Sequence, residues 1–385
     1  MPETSPEMTS TPSTTPATTA TTAPGSQPHH SVFHPLAIAA IEPLTDDSVA
    51  VTFDVPPDLR EAYAYTQGQH ITVRTELAGD DVRRNYSICS PVSAGRLRIA
   101  VKRLPGGAFS EHALGRLRVG DVLDVMTPSG RFFTPLDPAN AKHYVCVAAG
   151  SGITPILSIV ATTLEAEPDS RVTLLYANRT HKSIMFLEEV EDLKDRYPDR
   201  MHLIHILSRE PQDVELFSGR LDTDRMQRLL DTIVPVDEVD EWFLCGPFEM
   251  VSALRKLLVA EGVSKKRLHA EVFHVESTPP LRRSTTDGAD AGPGAEVTIT
   301  LDGRSSSFTL AKDGPPVLEA ALGVRADAPF ACKGGVCGTC RAKVLEGSVE
   351  MDTNWALEPD EVEKGYVLTC QSHPTSEKLV LDYDA

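Results

Sequence analysis

The spacing of apolar and polar residues changes several times along the chain. In residues 31–138 apolar side chains alternate with polar ones, as at Val49, Val51 and Phe53. Alternation with a period of two, in short runs broken by Gly, Pro and Asp, predicts an antiparallel β-barrel or sandwich. One helix is predicted in this region, over residues 108–114, directly after two glycines.

Residues 139–275 show apolar runs that alternate with helical stretches. This alternation predicts an α/β domain with a parallel sheet, helices on both of its faces and right-handed crossovers. The predicted strands are 143–148, 172–176, 201–207, 241–244 and 268–273, and the predicted helices are 154–165, 185–196, 224–230 and 247–261.

The remaining regions differ from these two in composition. The first 28 residues hold nine Thr, four Ser and six Pro and no aromatic residue. Because such a segment can bury little apolar area, residues 1–30 are predicted to be a disordered tail. Residues 276–295 are rich in Pro, Gly, Ser, Thr and Asp and are predicted to be a linker. Residues 296–385 then form a third, small domain.

Charge and cysteine content narrow the possible functions. The chain carries 37 Lys and Arg against 55 Asp and Glu, a formal net charge of −18. This argues against nucleic acid or an anionic membrane as the main partner, since both attract clustered Lys and Arg. No apolar stretch approaches the roughly 18 residues of a membrane span, and the N-terminus shows no secretory signal. Four of the seven cysteines lie in the last 54 residues, so we expect a reduced, cytoplasmic protein with a metal cluster.

The cysteine spacing is the most specific signal in the sequence. Cys332, Cys337 and Cys340 form a C-x4-C-x2-C motif, and Cys370 follows 30 positions later. Plant-type [2Fe–2S] clusters have this spacing, with one loop supplying three thiolates and a distant segment the fourth. A structural zinc site with four cysteine ligands is the alternative, although such sites usually pair two close couples of cysteines. A visible absorption spectrum distinguishes the two, since zinc is colourless.

Two motifs in the first region suggest a flavin. Arg84, Tyr86 and Ser87 end a predicted strand, where a guanidinium, an aromatic ring and a hydroxyl could pair with a pyrophosphate, stack on a flavin and bond to its ring. Residues 106–110 place two glycines before the predicted helix, whose free N–H groups attract phosphate. Taken separately, each motif is better explained by a turn or a helix cap, and the flavin interpretation depends on the two together.

Three strand ends in the α/β region suggest a nicotinamide nucleotide. Residues 149–155 follow the first strand, with glycines that permit close approach of a phosphate and with Thr154 able to cap the next helix. The third strand ends at Ser208 and Arg209, which could bind the 2′-phosphate of NADPH, although a solvated loop is the alternative. Cys245 ends the fourth strand, at the sheet edge where open parallel sheets bind ligands.

In this order, the motifs resemble those of the ferredoxin–NADP reductase superfamily fused to a C-terminal ferredoxin. Within it the chain resembles the reductases of bacterial phenylacetyl-CoA epoxidases. The segments that carry the similarity are Asp58–Tyr63, Arg83–Cys89, Ala331–Cys337, Asn354–Glu361 and Gly365–Gln371. The resemblance implies an FAD-binding β-barrel domain over 31–138, an NAD(P)-binding α/β domain over 139–275 and an α+β β-grasp [2Fe–2S] domain over 296–385.

The resemblance also implies an electron relay. NADPH would reduce FAD, the flavin would reduce the [2Fe–2S] cluster, and the cluster would reduce the oxygenase component of a multicomponent monooxygenase. That oxygenase would be a di-iron enzyme that epoxidises the ring of phenylacetyl-CoA in phenylacetate catabolism. A reductase for another oxygenase, such as a Rieske-type steroid or aromatic-ring hydroxylase, is the first alternative. A non-enzymatic electron carrier or zinc-binding protein is the second.

Roles for individual residues follow from the same resemblance. Arg84, Tyr86 and Ser87 would hold the flavin, and its pyrophosphate would contact Gly107, Ala108 and Ser110. The implied nicotinamide-binding residues are Gly150, Gly152, Thr154, Ser208, Arg209, Cys245, Gly246 and Pro247. Glu271 and Phe273 would face the flavin ring, and the candidate catalytic residues are Ser87, Cys245 and Phe273.

Three further features receive a simpler interpretation. Asn85 is expected to point away from the flavin, and no role is predicted for it. Cys89 and Cys146 lie in apolar strand patterns and are expected to be buried core residues. The acidic stretch from Glu358 to Glu363 is either a docking face for a basic redox partner or a solvated surface.

Overall fold

The computed structural model describes residues 32–274, 294–311 and 313–385. The tail predicted over residues 1–30 lies outside the described residues, as does the linker predicted over 276–295 up to residue 293. The described residues form three main sheets, which correspond to the β-barrel, the parallel sheet and the β-grasp domain expected from the sequence. Within these residues, no helix combines the length and the apolar character needed to cross a bilayer.

The first sheet is antiparallel and has the strand order β4-β3-β6-β1-β2-β5. A bridge between Ile88 and Ile99, supported by a 2.9 Å hydrogen bond from the Cys89 N–H to the Arg98 carbonyl, brings its two edges together as a barrel. Alternate side chains of each strand fill the interior, as the period of two predicts. Its elements are β1 (Phe33–Thr45), β2 (Ser48–Asp54), β3 (His70–Leu77), β4 (Asp80–Ser87), β5 (Leu97–Lys102), β6 (Val122–Met126) and the helix α1 (Ala108–Gly115).

The second sheet is parallel, with the order β11-β10-β7-β8-β9. Helices α2 and α3 pack on one face, against Cys146 and Tyr176, and α4 and α5 pack on the other, against Val145 and Val147. The strand predicted to end at Cys245 continues to residue 247, because its backbone stays paired with β11. The elements are β7 (His143–Ala149), α2 (Ile153–Ala166), β8 (Arg171–Asn178), α3 (Leu187–Arg196), β9 (Met201–Leu207), α4 (Thr223–Thr232), β10 (Glu241–Pro247), α5 (Phe248–Ala260) and β11 (Leu268–His274).

The third sheet is mixed, with the order β13-β12-β18-β14-β16. Its central pair, β12 and β18, is parallel, and the other neighbours are antiparallel. Helix α6 packs on it through Val317, Leu318 and Ala321. The elements are β12 (Ala295–Leu301), β13 (Arg304–Leu310), α6 (Val317–Val324), β14 (Arg341–Glu346), β15 (Val349–Met351), α7 (Pro359–Glu363), β16 (Tyr366–Leu368), β17 (Ser372–Pro374) and β18 (Lys378–Asp382).

The third domain contacts both of the others. The Arg83 guanidinium of the barrel lies 4.0 Å from the centroid of the Phe330 ring. On the α/β side, the ring centroids of Phe248 and Trp355 are 4.2 Å apart. These contacts bring the loop that carries the cysteine motif against the barrel.

Candidate redox site

The ends of β7 and β10 meet at the point where the parallel sheet reverses its direction of growth. Strand β7 has β8 on one side and β10 on the other, and open α/β sheets bind nucleotides at such a point. The two strand ends are in close contact: a Cβ added to Gly152 would lie 2.3 Å from the Cys245 carbonyl oxygen. Any side chain at Gly152 would therefore push the two strand ends apart. The buried Thr154 hydroxyl donates to the Ser151 carbonyl at 3.1 Å and closes the turn.

Three polar side chains from two domains converge beside this turn. Cys245 and Glu271 are paired across β10 and β11, and Ser87, at the end of β4 in the barrel, hydrogen-bonds to the Glu271 carboxyl group. Burial raises the pKa of Glu271 to about 8, and the Ser87 hydrogen bond offsets this only in part. Burial, and secondarily the Glu271 carboxylate, raise the pKa of the Cys245 thiol. At neutral pH the three side chains, Ser87, Cys245 and Glu271, are therefore uncharged.

The same group has an unsatisfied polar atom. The Glu271 Oε2 atom is buried and has no hydrogen-bond partner among the described residues. A buried oxygen of this kind fits the polar edge of a bound ring, which would supply the missing partner. Phe273 lies two residues further along β11, is half-buried and packs against the core that β7 and α2 share.

The aromatic ring predicted to stack on the flavin is held by the barrel helix. Tyr86 is half-buried, and its ring centroid is 5.5 Å from that of Phe109 in α1. Burial raises the pKa of Tyr86, so the phenol stays neutral. Arg84, two residues earlier on the same face of β4, is exposed and donates from Nη1 to the Arg83 carbonyl at 2.7 Å.

Two glycines precede α1, as predicted, but the Ser110 hydroxyl forms its hydrogen bonds within this turn. Its hydroxyl accepts a hydrogen bond from the Leu104 N–H at 3.1 Å and lies within 3.2 Å of the Leu104 and Gly107 carbonyls. Gly107 is half-buried and Ala108 exposed at the start of α1. Backbone N–H groups at the start of a helix lack partners inside it. The side chain of Ser110 therefore shapes the turn together with the Gly107 N–H, which donates to the Leu104 carbonyl at 2.8 Å. The N–H groups that follow Gly107, at the start of α1, are the ones placed for a phosphate.

Ser208 and Arg209 are exposed at the carboxyl end of β9. The Arg209 N–H donates to the Arg179 carbonyl at 2.8 Å, so the exposed Arg179 follows β8 at the neighbouring position. The Glu210 carboxylate accepts a 2.8 Å hydrogen bond from the His181 N–H. Arg179 is absent from the residues predicted from the sequence, although its place directly after a predicted strand is a usable signal.

The four cysteines of the motif lie together as two pairs. Cys332 hydrogen-bonds to Cys337, and Cys340 to Cys370. Among the described residues, no group of three or more His, Cys, Asp or Glu converges as a single metal ion would require. Two pairs of thiols fit two irons, each bound by two sulfurs, better than one tetrahedral zinc ion.

The loop backbone favours negative charge on sulfur. A hydrogen bond from the Cys337 thiol, and then N–H groups that include that of Gly334, lower the pKa of Cys332 to about 5 against the opposing effect of burial. The Gly334 N–H is 3.3 Å from the Cys332 sulfur. Gly335 has a φ of +74°, and a Cβ there would lie 3.0 Å from Thr353 Oγ1 and 3.1 Å from Gln371 Cγ. The loop therefore depends on glycine at this position.

One side of the cysteine loop faces the barrel and the other faces solvent. Asn85 Nδ2 donates to Thr339 Oγ1 at 3.0 Å, and the Cys337 sulfur is 3.2 Å from that oxygen. Cys332 is exposed. No role is predicted for Asn85 from the sequence, because it alternates with Tyr86 along β4. In the structure Asn85 does point away from the Tyr86 face. It nevertheless contacts the cysteine loop.

The acidic stretch after β15 is neither a free docking face nor a solvated surface throughout. Glu358 pairs with Arg255 of α5 at 2.5 Å, and Glu361, only 8% exposed, pairs with Arg131 of the barrel region. Two further ion pairs, Glu361 with Arg341 and Asp360 with Lys364, lie within the third domain. Glu358 and Glu361 thus hold the third domain against the α/β domain and the barrel domain, respectively.

The two cysteines predicted to be structural are fully buried. Cys89 and Cys146 are both 0% exposed, and burial raises the pKa of each thiol. They belong to the core that the barrel shares with the parallel sheet, as predicted.

Three family models match consecutive parts of the chain. Residues 35–133 match the oxidoreductase FAD-binding domain, residues 146–256 the oxidoreductase NAD-binding domain, and residues 299–375 the 2Fe-2S iron-sulfur cluster binding domain. The matches follow the order of the three sheets.

Two characterised proteins are similar over nearly their whole length. The chain is 44% identical to one of the subunits of the 1,2-phenylacetyl-CoA epoxidase of Escherichia coli K12, over 92% of this chain and 99% of that protein. It is 33% identical to the ferredoxin reductase component of 3-ketosteroid-9-alpha-monooxygenase from Rhodococcus rhodochrous, over 92% of this chain and 98% of that protein.

A solved structure has a similar fold over nearly the whole chain. Phthalate dioxygenase reductase matches 93% of this chain and 100% of its own, with a TM-score of 0.57 and 24% identity. At this identity the likeness concerns the fold alone.

Proposed function

The chain belongs to the ferredoxin–NADP reductase superfamily with a C-terminal [2Fe–2S] domain, and on that premise we propose that it is the NADPH-dependent reductase component of a phenylacetyl-CoA epoxidase. The coarser activity follows from the family. The protein is an oxidoreductase that passes electrons from a nicotinamide nucleotide through FAD and a [2Fe–2S] cluster to an oxygenase. The epoxidase as acceptor, NADPH as donor and the roles of single residues are the proposal.

One observation carries the assignment of the reacting centre. Ser87 of the barrel meets Cys245 and Glu271 of the parallel sheet in one uncharged group that holds an unpartnered buried oxygen. FAD, when bound, accepts two electrons from the nicotinamide and releases them one at a time. In the proposed site Ser87 and Glu271 bind the polar edge of its ring, and Phe273 shields the ring from water. Cys245 then packs against the nicotinamide.

The rest of the flavin would lie along the barrel. Tyr86 would stack on the ring, and the exposed Arg84 would reach the pyrophosphate. The residues proposed for the other side of the pyrophosphate are Gly107 and Ala108 at the start of α1. The Ala108 N–H would bind the phosphate, while the Gly107 N–H and the Ser110 hydroxyl hold the turn through their bonds to Leu104.

The nicotinamide nucleotide would lie across the switch point of the parallel sheet. The residues proposed to line its reactive half are Gly150, Gly152, Thr154, Gly246 and Pro247. Ser208 and Arg209 would bind the 2′-phosphate, with Arg179 as a second guanidinium, and this pair supports NADPH over NADH as the donor. Because the Glu210 carboxylate is bonded to the His181 N–H, it is drawn towards the turn after β8.

The proposed cluster ligands are Cys332, Cys337, Cys340 and Cys370. The two-pair arrangement of their thiols and the N–H groups aimed at Cys332 support this assignment over a zinc site. Electrons would enter from the side of Cys337, which faces the barrel, and leave by the exposed edge at Cys332.

The acceptor is tested by reconstitution. The purified protein is mixed with the di-iron oxygenase components and phenylacetyl-CoA, and NADPH oxidation is followed together with formation of the epoxide. We expect the two to be coupled. The comparison is with a steroid oxygenase, because a steroid monooxygenase reductase matches the same span of the chain. A Rieske-type steroid oxygenase supplied with its substrate should be reduced poorly. Coupled turnover with that oxygenase and none with the epoxidase would contradict the proposed acceptor.

A further inference from the structure

A chain of hydrogen bonds connects the barrel to a proposed cluster ligand. Thr72 and Asn85 stand opposite each other on β3 and β4, and the Thr72 hydroxyl donates to Asn85 Oδ1 at 2.7 Å. Asn85 Nδ2 donates to Thr339 Oγ1 at 3.0 Å, and that oxygen lies 3.2 Å from the Cys337 sulfur. Thr72 is fully buried, so the amide is held from its barrel side.

The direction of these bonds is determined by which groups can donate. A cysteine that ligates iron carries negative charge and no proton, so the contact between Thr339 and Cys337 must then be donated by the hydroxyl. The hydroxyl has one proton, and once that proton points at sulfur the oxygen can only accept. Asn85 supplies the donor that this oxygen needs, and Thr72 keeps the amide in that orientation.

Such a bond affects the electron affinity of a cluster. Reduction adds negative charge, which is shared by the sulfur ligands, so a donor aimed at a ligand sulfur favours the reduced form. Thr339 belongs to the cysteine loop, whereas Asn85 lies 254 residues earlier, in the flavin domain. The orientation of the hydroxyl therefore depends on contact between the two domains.

We propose that Asn85 is a positioning residue for electron transfer: it orients the Thr339 hydroxyl onto Cys337 and so raises the reduction potential of the cluster while the cluster faces the flavin. The inference rests on the proposed assignment of Cys337 as a ligand. It gives Asn85, on the opposite face of β4 from Tyr86, a role toward the second redox centre.

The test is a redox titration of the purified full-length protein, with the reduced cluster followed by electron paramagnetic resonance. One neutral hydrogen bond corresponds to roughly a three- to tenfold change in equilibrium. Asn85→Ala should shift the balance between reduced cluster and reduced flavin by about that factor toward the flavin. At 59 mV per tenfold change for one electron, this is a fall of about 30–60 mV in the cluster potential. Asn85→Asp should lower the potential further, because a carboxylate repels the electron and draws the Thr339 proton to itself.

The controls separate this effect from a loss of docking. Thr339→Val should lower the potential as Asn85→Ala does, and combining the two should add nothing, whereas Thr339→Ser should keep the wild-type value. Arg255→Gln removes the ion pair with Glu358 that joins the third domain to the α/β domain, and it should leave the potential unchanged.

Two results would overturn the inference while leaving the proposed function intact. One is an unchanged potential in Asn85→Ala and Asn85→Asp with the cluster present, and the other is a full additive effect in the double variant. If Asn85→Ala does not fold, the potentials of Asn85→Asp, Thr339→Val and Thr339→Ser decide the question. Absence of a cluster signal in the unmodified protein would instead contradict the proposed cluster itself.

Discussion

The proposed flavin pocket and the cysteine loop hold their reactive groups in opposite ways. In the loop, Cys332, Cys337 and Cys340 come from nine consecutive positions, and the backbone between them shapes the site. In the pocket, Ser87, Cys245 and Glu271 come from three strands of two domains. The loop is therefore a local structure, whereas the pocket exists only when two domains pack together.

Two cysteines illustrate the difference in electrostatics. The pKa of Cys245 is raised, mainly by burial in an apolar strand end, whereas that of Cys332 is lowered to about 5 by hydrogen bonds from its own loop. Burial disfavours the thiolate, and directed donors favour it. The pocket thus favours neutral partners and the loop favours negatively charged sulfur, as the proposed flavin ring and iron cluster respectively would require.

The largest effect is expected from breaking the loop alone. Cys340→Ser should abolish or badly destabilise the cluster, because a protonated hydroxyl is a poor iron ligand. FAD should remain bound, and reduction of ferricyanide by NADPH should continue, since the pocket contains no residue of the loop. Iron and sulfide analysis together with flavin absorbance would check this. A full content of iron and sulfide in the variant would show that Cys340 is not a ligand.

The next largest effect is expected at the far end of the nucleotide site. Arg209→Ala should weaken NADPH about 10- to 150-fold, the worth of a charge-assisted bond to phosphate, and should change NADH little. Arg179→Ala should act in the same direction. Titration of each variant with both nucleotides gives the ratio of NADPH affinity to NADH affinity. Arg196→Ala, at the end of α3, serves as a matched control. Equal losses for the two nucleotides would mean that the guanidinium does not contact the 2′-phosphate.

A smaller effect, dependent on pH, is expected inside the pocket. Glu271 has a pKa of about 8 when folded and an ordinary value near 4.5 when unfolded. Between these two values the unfolded state has lost the proton that the folded state keeps, so the free energy of unfolding falls as pH rises through this window. Glu271→Gln removes this dependence and should become progressively more stable than the parent from pH 5 to pH 8. Each kcal/mol gained shifts Tm by roughly 2–4 °C. Parallel Tm curves for the two proteins over pH 5–9 would contradict the assignment of a neutral carboxyl group.

The smallest effect is expected at the contacts that join the third domain to the α/β domain. Trp355→Ala removes a ring that packs on Phe248, a contact worth about 0.5–1.5 kcal/mol, and Arg255→Gln removes a partly exposed ion pair worth at most about 1 kcal/mol. Each should slow electron transfer from flavin to cluster a few-fold in stopped-flow absorbance, with FAD and iron contents unchanged. A rate equal to that of the unmodified protein in both variants would show that these contacts do not hold the domains in the transferring arrangement.

Much of the local structure could be predicted from the pattern of residues. Strand β9 has the predicted bounds, and each helix of the α/β domain begins and ends within about two residues of its predicted limits. The cysteine motif also follows from spacing alone. These features depend on periodicity, caps and loop geometry, which are properties of neighbouring residues.

Other features could not be predicted in this way. Asn85 alternates with Arg84 and Tyr86, so its position on the strand indicates no function, while its partner lies 254 positions away. Ser110 has the residue type of a phosphate ligand, but its hydroxyl closes a turn. Glu361 looks like part of an exposed acidic run and is buried against Arg131 of another domain.

The three kinds of domain, the order of the redox motifs and the four thiols can thus be read from the chain alone, because each is encoded over a short stretch of residues. Which side chains meet depends on tertiary packing: Ser87 with Glu271, Asn85 with Thr339, and Glu358 with Arg255. The reason is physical. A polar side chain takes its partner from whatever surface packs against it, and here that surface belongs to another domain, whose position depends on the summed burial and hydrogen bonding of the whole interface.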